Sequence, residues 1–176
     1  ELIFRDPRRP TLGLHTVKNG DIDRKLNPNW KNTDLANWDK IRISNMVPLG
    51  NTDLTPNRAL MLEANLDMFS AVDFNKGCFI GQEVTARTKY RGLVKKKLVP
   101  ISSSAPLREG MIIFQENKKV GICHSTVKLK NESYLALASL RLDAIKYQFD
   151  SKKQLRSSLA LITIQLPYWY DFKITH

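Results

Sequence analysis

The chain has 176 residues, 42% hydrophobic and 26% charged, which is the balance of an ordinary globular protein of one domain or two small ones. Gly and Pro, 8 of each, exclude collagen-like and linker-like classes, and no apolar run approaches the roughly 18–20 residues of a membrane-spanning helix. The formal net charge of +11 is uneven, with 14 basic against 11 acidic residues up to Val94 and 14 against 6 from Lys95, so the second half favours anionic ligands or partners.

Two cysteines, Cys78 and Cys123, make no disulfide framework and point to a reducing compartment. The opening Glu1-Leu2-Ile3-Phe4, without Met, reads as the interior of a longer pattern, with any targeting peptide upstream.

Along the chain, Pro7 and Pro10 bracket a first segment, and 11–17 reads as a short strand. Residues 18–33 are polar and read as a surface loop. Asp34 is a helix N-cap for about 34–45, with Leu35, Trp38, Ile41 and Arg42 on one face. Thr55-Pro56 signals a second helix start, followed by Leu60, Met61, Ala64 and Met68. Phe74 to Gly81 is a loop with two glycines, and Gln82 to Tyr90 a helix closed by Gly92.

After Gly92 the period changes. Short β-type runs at 98–101, 111–114, 120–123, 134–140 and 160–166 predict a small antiparallel barrel, with a hairpin turn at Asn117 and an exposed loop at 150–154. The expected division is 1–94 and 95–176, an α+β arrangement.

The densest signal is Lys76-Gly77-Cys78-Phe79-Ile80-Gly81-Gln82-Glu83. Gly77 and Gly81 permit positive φ or a close backbone approach. A helix starts just after, so its free N–H groups face a thiol that also has Lys76 nearby, conditions that lower a cysteine pKa. The alternative is a tight turn with a buried, inert cysteine, and these residues alone leave both open.

Continued through Val84-Thr85-Ala86-Arg87-Thr88, this stretch resembles the signature of the YgfZ family, relatives of the aminomethyltransferase (T-protein, GcvT) of the glycine cleavage system. Asp6-Pro7-Arg8 with Leu12-Gly13, the element from Arg42 to Gly50, and Leu62-Glu63-Ala64-Asn65-Leu66-Asp67 resemble further family elements, though Met46 stands where the pattern has Gly. The resemblance implies the C-terminal part of a GcvT/YgfZ-like folate-binding domain followed by the barrel. It also implies a matrix protein made with a transit peptide. Its role would be late 4Fe–4S protein maturation, with A-type iron–sulfur scaffold proteins as partners. Aconitase-type and lipoate or biotin synthase-type enzymes would be the clients.

The same resemblance places Glu63 at a tetrahydrofolate pocket, where a carboxylate accepts from the ring N–H donors. It gives Cys78 three readings: a ligand to a 2Fe–2S or 4Fe–4S cluster shared with a partner, a redox thiol, or a structural residue. A lone cysteine leaves the other ligands to the partner. Lys76, Gly77, Gly81, Gln82, Glu83 and Arg87 are motif support. The competing function is a folate-dependent one-carbon transferase, and the upstream half that would complete such a site is not part of this sequence. A nucleic-acid role rests only on charge and aromatics.

Three further features take plain readings. Cys123-His124 reads as a core cysteine beside a histidine, not a metal pair. Lys95-Lys96-Lys97 reads as a lysine-guarded edge strand. Tyr168, Tyr170 and Phe172 share one strand face with Trp169 opposite, and packing is preferred over base stacking.

Overall fold

The structure is a computed structural model that describes residues 2–17, 19–20, 34–77, 80–150, 154–158 and 160–170, with only the backbone at 148–150. Most of the polar loop 18–33, with Cys78, Phe79, Phe172 and residues 151–153 of the loop expected at 150–154, lies outside the described residues.

Six strands close into an antiparallel barrel in the order β3–β6–β5–β4–β7–β8. They are β3 (Lys96–Ser103), β4 (Ile112–Gln115), β5 (Lys118–Lys128), β6 (Tyr134–Arg141), β7 (Leu155–Arg156) and β8 (Leu161–Ile164). β3 meets β6 along its whole length, from Lys96↔Arg141 to Ser103↔Tyr134, and meets β8 only at Ile101↔Ile164 and Ser102↔Thr163. All six strands send residues into one apolar cluster, among them Val99, Ile101, Ile113, Cys123, Ala138, Leu140, Leu155 and Ile162. Gly121 is obligatory in this wall, because a Cβ there would lie 2.3 Å from Leu140 Cδ2 and 2.5 Å from Ser139 O.

The barrel runs are buried on both sides. Leu98, Leu135 and Leu137, which alternate with the interior residues, form a second cluster with Ile43, Ala64 and Val127. The first half of the chain therefore acts as a cover for one outer wall. It supplies a hairpin, β1 (Leu2–Arg5) and β2 (Leu14–Val17), then α1 (Leu35–Ser44), a single helical turn α2 (Gly50–Asp53) and α3 (Glu83–Tyr90). Asp34 caps α1 as expected, accepting from Asn37 N at 2.9 Å.

Four expectations need correction. Of the face expected for α1, Arg42 is buried and Trp38 packs against the main core, but Leu35 is 80% exposed and Ile43, not Ile41, is the buried aliphatic. Thr55-Pro56 starts no helix: the chain turns repeatedly up to a short 3-10 segment at Leu66–Phe69, with Asn57 and Asn65 left-handed at φ 59° and 63°. Asparagine tolerates that region through local side-chain hydrogen bonding. A helix that the sequence reading missed, α4 (Leu142–Asp150), follows β6 and buries Ala144 and Ile145, so Asp150 closes a helix instead of opening the exposed loop. The C-terminal aromatics are not on a strand, since 165–170 is irregular. Trp169 and Tyr170 pack on the main core while Tyr168 is exposed, so the packing preference holds for two of the three described.

The lysine run also differs from expectation. β3 is not an open edge at Leu98: Glu63 O accepts from Leu98 N at 3.1 Å, and Asn65 Nδ2 donates to Leu98 O at 2.7 Å. The Leu62-to-Asp67 element is thus the edge cover, its last residue holding Lys97 Nζ at 3.3 Å. Burial lowers the Lys97 pKa, and Asp67 works against that shift.

Candidate functional site

Two buried polar arrangements organise the first half of the chain, and the first of them ties it to the barrel. Arg42 of α1 is buried and donates from Nε to Asp39 Oδ1 at 2.6 Å, from Nη1 to Asp53 Oδ2 at 2.8 Å and from Nη2 to Ser125 Oγ at 2.7 Å. Asp53 also accepts from the amides of Leu49 at 2.7 Å and Ser125 at 2.9 Å. The register between β5 and β6 shifts between Cys123 and Thr126, a bulge that takes the Ser125 amide out of the ladder and turns it toward Asp53. No residue pattern announced this joint, whose parts lie 11 and 83 positions from Arg42.

The second arrangement centres on Asp6. Arg8 donates to it from N at 2.9 Å, Nε at 3.0 Å and Nη2 at 2.7 Å, and His15 Nε2 lies 2.6 Å from Oδ2. The Arg8 guanidinium holds the Asp6 carboxyl well below the usual range against its own burial, with His15 adding to the effect. The Asp-Pro-Arg element is therefore a local clamp on the β1–β2 hairpin.

Met46 stands in a conformation suited to Gly. Its φ is 62°, the left-handed region that glycine enters freely, and its side chain is fully buried in the main core. Burial compensates for a strained backbone.

The candidate site residues separate into two cavities on opposite sides of the 60–64 turn. Glu63 lines the first, of about 290 Å³, between that turn and the barrel wall, with Arg58, Lys96, His124 and Ser139. His124 has its pKa lowered by burial, so it is neutral at pH 7. Asp53 borders this cavity with its carboxylate already committed to Arg42 and two amides. Glu63 forms no hydrogen bond or ion pair through its carboxylate among the described residues.

Lys76, Gly81 and Gln82 line the second cavity, of about 400 Å³, with Met61, Phe74 and Tyr90. Phe74 and Tyr90 meet edge to face at 6.4 Å, and Lys89 Nζ lies 3.5 Å from the Phe74 centroid. Gly81 takes φ 91°, the conformation that requires glycine, whereas Gly77 does not enter that region and would meet nothing with a Cβ. Glu83 and Arg87 pair with each other across one turn of α3. Glu83 stands in the first turn of α3, where the dipole favours it.

The structure thus gathers the motif residues together and sets Glu63 apart from them. Cys78 itself lies outside the described residues. Cys123 is a core residue, its thiol pushed up to about 12 chiefly by burial. Sequence reasoning missed Arg58, Lys96 and Ser139 of the first cavity. Only alternation along β3 and β6, once their pairing was known, could have put Lys96 and Ser139 on the same outer wall.

A closed six-stranded barrel behind a Lys-Gly-Cys-Phe-Ile-Gly-Gln-Glu segment is consistent with a fragment of the YgfZ/CAF17 type. Residues 95–172 match the family model of the CAF17 C-terminal β-barrel domain. The chain is 33% identical over 175 residues to the mitochondrial iron–sulfur cluster assembly factor IBA57 of Mus musculus, covering 96% of this chain and 47% of that protein. It is 40% identical over 106 residues to the Homo sapiens protein of the same name, covering 60% and 30%. With the IBA57 homolog of Phaeosphaeria nodorum, also named mitochondrial, it shares 39% over 101 residues, covering 56% and 24%. The chain spans less than half the length of each of these relatives.

Proposed function

We propose that this chain belongs to a mitochondrial iron–sulfur cluster assembly factor acting late in 4Fe–4S protein maturation. The observation that carries the reading is the likeness across 96% of the chain to a protein named for that role. Its mitochondrial placement follows from the same relatives, all named mitochondrial. Cys78 supplies one thiolate to a cluster shared with an A-type scaffold protein, whose cysteines complete the ligand set before the cluster passes to aconitase-type or lipoate synthase-type clients. The uncovered surroundings of the motif support access by a partner, since among the described residues from 70 to 97 none is buried.

Tetrahydrofolate fits the first cavity in part. About 290 Å³ takes a bicyclic ring but not a whole folate, and the Glu63 carboxylate is uncommitted there and can accept from ring N–H groups. On this reading folate binds apart from the motif loop, and its role is to tune the assembly step.

The test mixes the full-length protein anaerobically with an A-type scaffold, iron and sulfide, and records visible absorption and circular dichroism. The expected cluster signal needs both proteins and is lost in Cys78→Ser. Glu63→Gln keeps that signal and weakens tetrahydrofolate binding about tenfold or more. A signal indifferent to Cys78 overturns the shared-cluster reading. Folate affinity indifferent to Glu63 overturns the pocket.

A further inference from the structure

The surface that the assembly reading leaves unexplained is α3. No residue of this helix is buried. An open groove of about 540 Å³ runs along it, with Ile80, Ala86 and Tyr90 as its apolar part and Arg87 and Arg91, one turn apart, as its cations. Ile80 is fully exposed and Tyr90 is 71% exposed. An isolated helix of this length is marginal in water without a packed face.

The charge around the groove is one-sided. From Val84 to Lys97 the chain carries Arg87, Lys89, Arg91, Lys95, Lys96 and Lys97 and no acidic residue. The acid within the groove, Glu83, is paired with Arg87. Lys97 is drawn off by Asp67, which leaves Arg91, Lys95 and Lys96 exposed and without an ion pair among the described residues.

We propose that this groove docks an acidic segment of a protein partner. Arg91 takes a carboxylate in the bidentate manner of guanidinium, and an aliphatic side chain of the partner rests on Ile80, Ala86 and Tyr90. An apolar centre rimmed by charge is the anatomy of a protein interface. A nucleic acid would instead need a succession of stacking platforms, and the groove offers a single aromatic, Tyr90, with the Glu83 carboxylate at its other end. The inference deepens the assembly reading and rests on it, since the groove begins two residues after Cys78 and names the chemistry by which a cluster-sharing partner is held.

The experiment uses the full-length protein and its Lys89→Glu/Arg91→Glu variant, with the A-type scaffold protein as the probe. A uridine 20-mer and phosphatidylserine vesicles serve as separate arms. The wild type is expected to bind the scaffold with an affinity that falls between about 50 and about 200 mM salt, and the variant to bind about tenfold or more weakly with a flatter salt dependence. The Cys78-dependent cluster signal returns in the variant at saturating scaffold, which separates docking from cluster ligation.

Unchanged scaffold binding in the variant, with the cluster signal intact, overturns the groove and leaves the assembly reading standing. Charge reversal that abolishes binding to the oligonucleotide or vesicles but not to the scaffold overturns it in favour of those ligands. Amide protection over 83–91 in the free full-length protein, equal to that of the barrel strands, overturns it by showing the groove covered by the protein itself. A scaffold that does not bind the wild type overturns both readings together.

Discussion

The barrel wall and the segment from Ser70 to Lys97 are built on opposite terms. β3 buries Leu98 to Ile101 in succession and β6 buries Leu135 to Ala138, because each strand has the barrel core on one face and the cover on the other. Over residues 70–97 no described residue is buried, yet this is where the chain carries its most specific motif. Packing accounts for the residue choices in the wall. It does not account for Ile80, Val84 or Tyr90, which stand 102%, 66% and 71% exposed. Side chains of that kind left in water mark a surface that meets something else.

The contrast breaks most visibly at the joint between cover and wall. Arg42→Ala strips the buried Asp53 of its cation and leaves Ser125 without its donor, so stability should fall by about 3–5 kcal/mol in urea unfolding. Arg42→Met with Asp53→Leu should recover only part of this loss. Two apolar residues remove the charge problem, but the Leu49 and Ser125 amides still lose their acceptor. A loss below about 1 kcal/mol in Arg42→Ala would mean that the cover is held by its apolar contacts alone.

A smaller effect belongs to the hairpin. The Asp6 pKa is lowered on folding, so its contribution to stability is present above the unfolded value near 4 and is lost as pH falls toward the folded value. Asp6→Asn should cost about 2 kcal/mol at neutral pH and flatten the decline of stability on acidification below about pH 4. An unaltered acid limb in denaturant titrations would show that Arg8 and His15 do not hold the carboxylate ionised.

Legibility in the sequence followed the same divide. The strand runs at 98–101, 111–114, 120–123, 134–140 and 160–166 were readable because β-branched and apolar residues cluster between turns, and all fall on or beside barrel strands. The helix at α1 was readable from its Asp34 cap, but its buried face only in part, through Trp38 and Arg42. A helix that buries an arginine and exposes Leu35 inverts the apolar rule, and only the distant Asp53 and Ser125 explain the inversion. α4 was missed because its buried pair, Ala144 and Ile145, is too short a signal beside Lys146 and Tyr147.

For the candidate site, the motif residues Lys76, Gly81 and Gln82 were legible as a group. Their separation from Glu63 was not, because they are near in sequence and the 60–64 turn faces its two sides to different cavities. The Leu62-to-Asp67 element was legible as a family feature but not as the cover for the β3 edge. That role depends on backbone groups of Glu63 and Leu98, which carry no sequence signal.

The smallest predicted effect sharpens the contrast from the other side. Ile80→Ser with Val84→Ser removes two apolar side chains from the uncovered helix segment, and because both already stand in water no burial is lost. Exposed substitutions of this type stay within about 0.5 kcal/mol, so the urea midpoint should not move. The same change in a wall residue such as Ile101, fully buried, would cost several-fold more through lost transfer and an unfilled cavity. An unmoved midpoint in the pair variant places the cause of these residues outside the fold of this chain. A loss of about 2 kcal/mol or more in the unfolding free energy would mean that the helix is packed in the full protein, and the exposed motif would then be explained by folding after all.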